Sequence, residues 1–181
     1  MGIIEIEVKA QTSNEEELKK KIQDLGAVFK IKKYQHDILL DPPTTDFSKT
    51  DQVLRIRNSD GNWKLDYKSP RLDNETKSRR EFSLKIDDGK QLKDIFTFMN
   101  FTTVGEIEKT RESYTLNKMT INFDTVTNLG NFLEIEVLEE EQHFEQTKKD
   151  IFTFLEQLGI KDTIKKDYLE LLWDKGYFKK N

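Results

Sequence analysis

Glu5-Ile6-Glu7-Val8-Lys9, close to the start of the chain, alternates charge with aliphatic carbon residue by residue, and Glu134-Ile135-Glu136 repeats the pattern near the end. Successive side chains of a β-strand face opposite ways, so Glu5, Glu7 and Lys9 share one surface while Ile4, Ile6, Val8 and Ala10 share the other. Which surface meets water decides the reading. With the ionic surface turned inward, acids and a base packed together point to metal-bound phosphate.

The same alternation recurs. Arg55 and Arg57 stand against Leu54 and Ile56; Lys64, Asp66 and Lys68 against Trp63, Leu65 and Tyr67; Arg79 and Glu81 against Phe82 and Leu84; Glu134 and Glu136 against Leu133, Ile135 and Val137. A single charged face is what any half-wetted antiparallel sheet shows. Two features favour an inward face. The charges segregate by strand into Glu-x-Glu, Arg-x-Arg and Lys-x-Arg (Lys109, Arg111) pairs instead of scattering. Helices with apolar stripes also need an apolar surface to cover, and the aliphatic faces of these strands supply it. Helices outside a curled sheet put the ions inside, lining a polar channel. There they persist only when matched by partners, metal or ligand.

The helices are legible by spacing. Leu18, Ile22 and Leu25, between a Ser13/Glu16 capping box and Gly26, predict a helix over 13–26. Strands are predicted at about 28–40, 53–58, 62–68, 78–86, 104–116, 119–126 and 132–139, with a helix through Leu92, Ile95, Phe96 and Met99. Phe144, Ile151, Leu155 and Leu158 mark one closing helix, and Tyr168, Leu171 and Leu172 another. Residues 41–52 and 69–77 read as mobile loops. Glu106 and Glu108 have the opposite parity to Lys109 and Arg111 and read as an outward pair.

Composition narrows the classes. The 181 residues suit one domain over 1–181, with a core at about 3–173 and a flexible tail at 174–181. Charged residues make up 35%, yet the net charge is only -4 and the pI about 5.4, which argues against nucleic-acid binding through a basic surface. The absence of cysteine excludes disulfides and thiolate metal sites, and suits a reducing cytoplasm. His36 and His143 alone offer no zinc cluster. No stretch approaches the ~20 apolar residues of a membrane helix, and no signal peptide opens the chain.

The residue types set the chemistry. Paired carboxylates are hard oxygen ligands suited to Mg²⁺ or Mn²⁺, which keep waters and bridge to substrate phosphates. Guanidinium forks grip phosphate oxygens in two places while lysine acts as a point charge. Gly89-Lys90 lacks the earlier glycine and the Ser/Thr of a phosphate-cradling loop, so a P-loop is excluded.

Taken in order, Glu5-x-Glu7-x-Lys9, Gln35-His36-Asp37-Ile38 leading to Asp41-Pro42, Leu54-Arg55-Ile56-Arg57, Tyr67-Lys68-Ser69-Pro70, Lys109-Thr110-Arg111 with Tyr114, Phe123-Asp124-Thr125-Val126 and Leu129 to Glu136 resemble the CYTH superfamily of triphosphate tunnel enzymes. They are most similar to its class IV adenylyl cyclase-like branch. The resemblance implies an α+β fold, a closed antiparallel eight-stranded β-barrel with helices packed outside. It implies metal ligands at Glu5, Glu7, Glu134 and Glu136 with Asp124 near the metal, and phosphate contacts from Lys9, Arg55, Arg57, Lys68, Arg79, Lys109 and Arg111. Asp124 and Glu81 become the candidate catalytic acids, with Mg²⁺ or Mn²⁺ as cofactor. Two positions depart from the family pattern: Ser83 stands where a further acid is usual, and Leu39 and Leu40 where aromatic residues are. The expected substrate is a small triphosphate: ATP, thiamine triphosphate or tripolyphosphate. The resemblance puts cyclisation of ATP to cyclic AMP and pyrophosphate first, with hydrolysis of an inorganic or organic triphosphate close behind and non-catalytic polyphosphate or nucleotide binding as the further alternative; the family suggests a homodimer.

Overall fold

Strand β1 (Ile3–Gln11) buries both of its faces, which answers the question its alternation poses. Ile4, Ile6 and Val8 are no more than 2% exposed beneath helices, while Glu7 and Lys9 on the opposite face are 4% and 1% exposed. The computed structural model describes residues 3–73 and 75–178. In chain order β1 is followed by α1 (Glu15–Asp24), β2 (Val28–Asp41), α2 (Phe47–Thr50), β3 (Val53–Ser59), β4 (Asn62–Lys68), β5 (Glu81–Ile86) and α3 (Gly89–Phe98). Then come β6 (Thr102–Leu116), β7 (Met119–Val126), β8 (Gly130–Glu140), one 3₁₀ turn, α4 (Phe144–Leu158) and α5 (Tyr168–Asp174).

All strand pairs are antiparallel, and the eight strands form one curled sheet in the order β1-β8-β7-β6-β2-β3-β4-β5. The expected closed barrel is not formed. β1 and β5 remain edges, so the sheet is an open half-barrel, its edges linked by an isolated bridge between Glu5 and Arg79. Glu5 and Arg79 exchange two main-chain bonds of 3.1 Å, and the Lys77 N–H reaches the Glu7 carbonyl at 2.9 Å. The cause is local to the segment before β5. The Asp73 carboxylate accepts from the Glu75 and Thr76 N–H groups, and Thr76 Oγ1 meets Ser78 Oγ at 2.6 Å. These side-chain bonds hold the backbone in turns, and regular strand resumes only at Glu81, later than predicted.

Other local differences have equally small causes. The Ser13/Glu16 capping box does not form: Asn14 precedes α1, and its side chain is engaged with Thr12 and Glu17. Within the predicted loop 41–52, Asp46 caps the short α2 through the Ser48 N–H at 3.0 Å. The start of α3 needs Gly89, because a Cβ there would lie 2.0 Å from the Trp63 ring.

Helices α1, α3 and α4 cover the aliphatic face. Leu18 and Ile22 of α1 and Ile151, Phe154, Leu155 and Leu158 of α4 pack on Ile4, Ile6, Val8, Ile121 and Ile135. Leu92 and Phe96 of α3 cover Ile38, Leu40 and Ile56. Helix α5 does not pack outside as expected: its Tyr168, Leu169 and Leu172 sit on Leu39, Ile107 and Phe132, which share the inward parity of Asp37, Lys109 and Glu134 and leave carbon at that end of the concave face. Fully burying one such aliphatic side chain stabilises by about 1.5–3 kcal/mol, so the helices fix which face of the sheet is outer. Of the segment expected to be a tail, Phe178 packs beside α5, and residues 179–181 lie outside the described residues. No described helix is long and apolar enough to cross a membrane.

Candidate metal and phosphate site

The charged face encloses a hollow of about 520 Å³. Its walls follow from strand register. On one flank Glu7 pairs with Glu136 and Lys9 with Glu134 across β1 and β8. One carboxylate oxygen from each of Glu7, Glu134 and Glu136 lies within 4.8 Å of the others. Glu5 stands one step along, accepting from Lys68 Nζ at 3.2 Å, with Glu81 on the same lysine from β5. Acids are crowded here. Burial pushes the Glu136 carboxyl up to about 7, against the pull of Arg111 and with Glu5, Glu7 and Glu134 adding to the rise. The Glu5 carboxyl is raised for the same reason, burial first, with Lys68 opposing and Glu81 adding. Hard oxygen donors converging in a partly dry hollow suit Mg²⁺ or Mn²⁺, so the donor set fits the divalent ion the resemblance implies.

The opposite wall is paired. Arg57 grips Asp37 with two bonds of 2.6 Å, while Arg55 holds Asp66 at 2.8 and 3.1 Å and reaches Asp37 at 3.4 Å. Burial alone would raise the Asp37 carboxyl, but Arg57 and then Arg55 outweigh it and hold it well below the usual carboxylate range. Ser83, standing where the family pattern has an acid, donates to Asp66 at 2.6 Å. Between the two flanks, Arg111 reaches Glu134 and, at 3.2 Å, Glu136.

The structure brings Glu5, Glu7, Arg55, Arg57, Lys68, Glu81, Lys109, Arg111, Glu134 and Glu136 to this one hollow. Three expected site residues stand behind its wall. Asp124 is 0% exposed, its oxygens taken by Lys109 and Arg111 at 2.6 Å and by the Tyr168 hydroxyl at 3.0 Å. That leaves it no free face toward a metal or a nucleophile. Arg79 is 1% exposed and spends a guanidinium nitrogen on Asp167 at 3.3 Å. Lys9 has its Nζ 4.0 Å from the centre of the Tyr168 ring and 4.0 Å from Glu134, without a hydrogen bond. Burial, with Lys77 nearby, pushes the Lys9 ammonium down to about 7, against the pull of Glu134, Asp167 and Glu7. Glu106 and Glu108 keep the outward parity read from sequence, Glu106 meeting His36 at 2.9 Å away from the hollow.

Sequence reasoning missed Asp37, Asp66, Lys77, Asp167 and Tyr168 as members of the site. Asp37 and Asp66 carried a signal, since both share the charged parity of their strands. Lys77 carried none: it sits in the segment read as a loop, yet its Nζ bonds Glu7 at 2.8 Å and Asp167 at 2.6 Å. Asp167, which the sequence reading did not single out, forms a capping box with Glu170 at the start of α5, and its carboxylate also lines the hollow.

The model of the CYTH domain matches residues 3–168. The chain belongs to the CYTH family. Members of this family act as adenylate cyclases or triphosphatases, and the chain is an enzyme of that group. A Methanocaldococcus jannaschii protein named "Putative adenylate cyclase" is 36% identical over 172 residues, covering 93% of this chain and 98% of its own. A solved structure of a Pyrococcus horikoshii OT3 protein superposes with a TM-score of 0.86 at 33% identity, covering 94% of this CYTH chain and 99% of that one. A Hippeastrum protein named "Putative adenylyl cyclase" and described as having a dominant triphosphatase activity shares the fold, with a TM-score of 0.66 at 20% identity over 97% of this chain and 96% of its own.

Proposed function

We propose that the hollow holds the triphosphate of its substrate and cleaves it by transfer to water, with Mg²⁺ or Mn²⁺ held by Glu7, Glu134 and Glu136 and with Glu5 adjacent. The observation that carries this reading is the division of one polar hollow into an acid flank and a basic wall. Arg55, Arg57, Lys68, Lys109 and Arg111 then hold the phosphate oxygens, and a wall already ordered by Asp37 and Asp66 needs little rearrangement as charge shifts. When bound, the ion neutralises phosphate oxygens and lowers the pKa of a coordinated water. Asp124 acts by position, fixing Lys109 and Arg111, and Glu81 fixes Lys68. Lys9 and Arg79 support the acid flank and α5 from behind.

Hydrolysis fits the geometry better than cyclisation because, among the described residues, Tyr168 is the sole aromatic residue lining the hollow, and it lies under Lys9 and Lys109. One observation favours ATP cyclisation as the second reading: the name of the 36% identical relative. The test is incubation with ATP, thiamine triphosphate or tripolyphosphate, each with Mg²⁺ or Mn²⁺, while phosphate, pyrophosphate and cyclic AMP are measured. Metal-dependent phosphate release is the expected result. Pyrophosphate with cyclic AMP moves the assignment to a cyclase, and saturable binding without product to a binding module.

A further inference from the structure

We propose that the open mouth of the hollow is a second anion subsite, one that takes phosphates beyond the first three, so that the favoured ligand is a linear inorganic polyphosphate longer than triphosphate. The inference rests on the reading of the hollow as a triphosphate site.

The two ends of the hollow differ in kind. At one end Leu39, Val53, Ile107 and Leu169 close it with carbon under α5. At the other, Lys33, Ser59, Asn62, Lys64 and Lys85 line it, with no apolar or aromatic side chain beside them among the described residues. A heterocycle attached to the triphosphate has nothing there to stack on, whereas an anion has three ammonium groups.

Register makes the lysine group more than a scatter of surface charge. Arg57 stands directly opposite Lys64 on β4, and Lys64 directly opposite Lys85 on β5. Three cations therefore follow one another across three strands on the inward face. Directly opposed like charges destabilise a strand pair, moderately so where water reaches them. The acid of this row, Asp37, is taken by Arg57 and reaches neither lysine. Deeper in, every cation proposed for the triphosphate grip has a carboxylate partner in the wall. Lys33, Lys64 and Lys85 have no ion pair or hydrogen bond among the described residues. In a chain of net charge -4, with acids to spare, this leaves the mouth uncompensated. An anion leaving the triphosphate grip through the mouth meets these three groups next.

The experiment compares tripolyphosphate, ATP and linear polyphosphate of about ten units by calorimetry on the full chain, in EDTA and again with Mg²⁺. The longer chain is expected to bind about tenfold more tightly than tripolyphosphate, as one or two added charge-assisted contacts provide. ATP should show no such gain. In a Lys64→Ala/Lys85→Ala variant the gain disappears while tripolyphosphate affinity stays within about twofold, and Lys64→Glu/Lys85→Glu makes the longer chain the weaker ligand. Tripolyphosphate binding with no gain from length, or a gain that survives in both variants, overturns this inference alone. No tripolyphosphate binding in either buffer overturns it together with the reading of the hollow.

Discussion

Two flanks of one hollow handle charge in opposite ways. On β2, β3 and β4, Asp37 and Asp66 neutralise Arg57 and Arg55 nearly one for one, through bonds as short as 2.6 Å. On β1 and β8, Arg111, Lys109 and Lys77 outweigh burial and hold the Glu134 carboxyl down, but burial raises its neighbours, with Glu81 adding at Glu5 and with Glu5, Glu7 and Glu134 adding at Glu136. The contrast separates a preset surface from an incomplete one. The paired wall has its geometry before any ligand arrives, while the acid flank gains most when a cation joins it.

The largest expected effect comes from removing an acid where acids are in excess. Glu134→Gln should lower metal-dependent kcat by about three orders of magnitude or more while the chain stays folded by circular dichroism. A rate within tenfold of the parent would move the metal centre away from this flank. On the paired wall the same kind of change should act on the fold as well as the substrate. Arg57→Ala leaves Asp37 buried without its main partner, so stability in urea should drop by about 3–5 kcal/mol and KM rise by about ten- to a hundredfold. An unchanged urea midpoint would mean that the wall is not held by this pair.

Acid should weaken the paired wall in a predictable direction. The Asp37 carboxyl titrates below its unfolded value, so its contribution is fully present above about pH 4 and is lost as pH falls toward the folded value. The urea midpoint should therefore fall below about pH 4, and the fall should be shallower in Asp37→Asn. An identical slope in both proteins would contradict the pairing. The smallest effect belongs to the outer face. Glu108→Gln has the wrong parity to reach the hollow and should leave kcat/KM within about twofold.

The alternation in β1, β3, β4 and β8 was enough to read the sheet, its inward face and most of the lining, because side-chain direction in a strand is fixed by parity. Parity does not report depth. Asp124 shares the inward parity of its strand yet is covered by Lys109, Arg111 and Tyr168, and that cover depends on α5 returning from far along the chain. Lys77 and Asp167 were illegible for the related reason that they reach the hollow from segments without strand period. Closure was misread because the turn made by Asp73, Thr76 and Ser78 delays β5, and such turns are set by side-chain bonds that hydrophobic spacing does not register.

The Glu5–Arg79 link between the sheet edges is of a different kind from the strand ladders. Along that line the main chain is joined by three hydrogen bonds to Glu5 and Glu7, together worth about 2–4 kcal/mol. The side-chain ties across it, Lys68 to Glu5 and Lys77 to Glu7, are ones that phosphate oxygens can take over. The strands behave less like a ring than like a bracelet with a clasp. Parting along that line would spare every strand ladder, a side entrance that a closed ring of strands would not have.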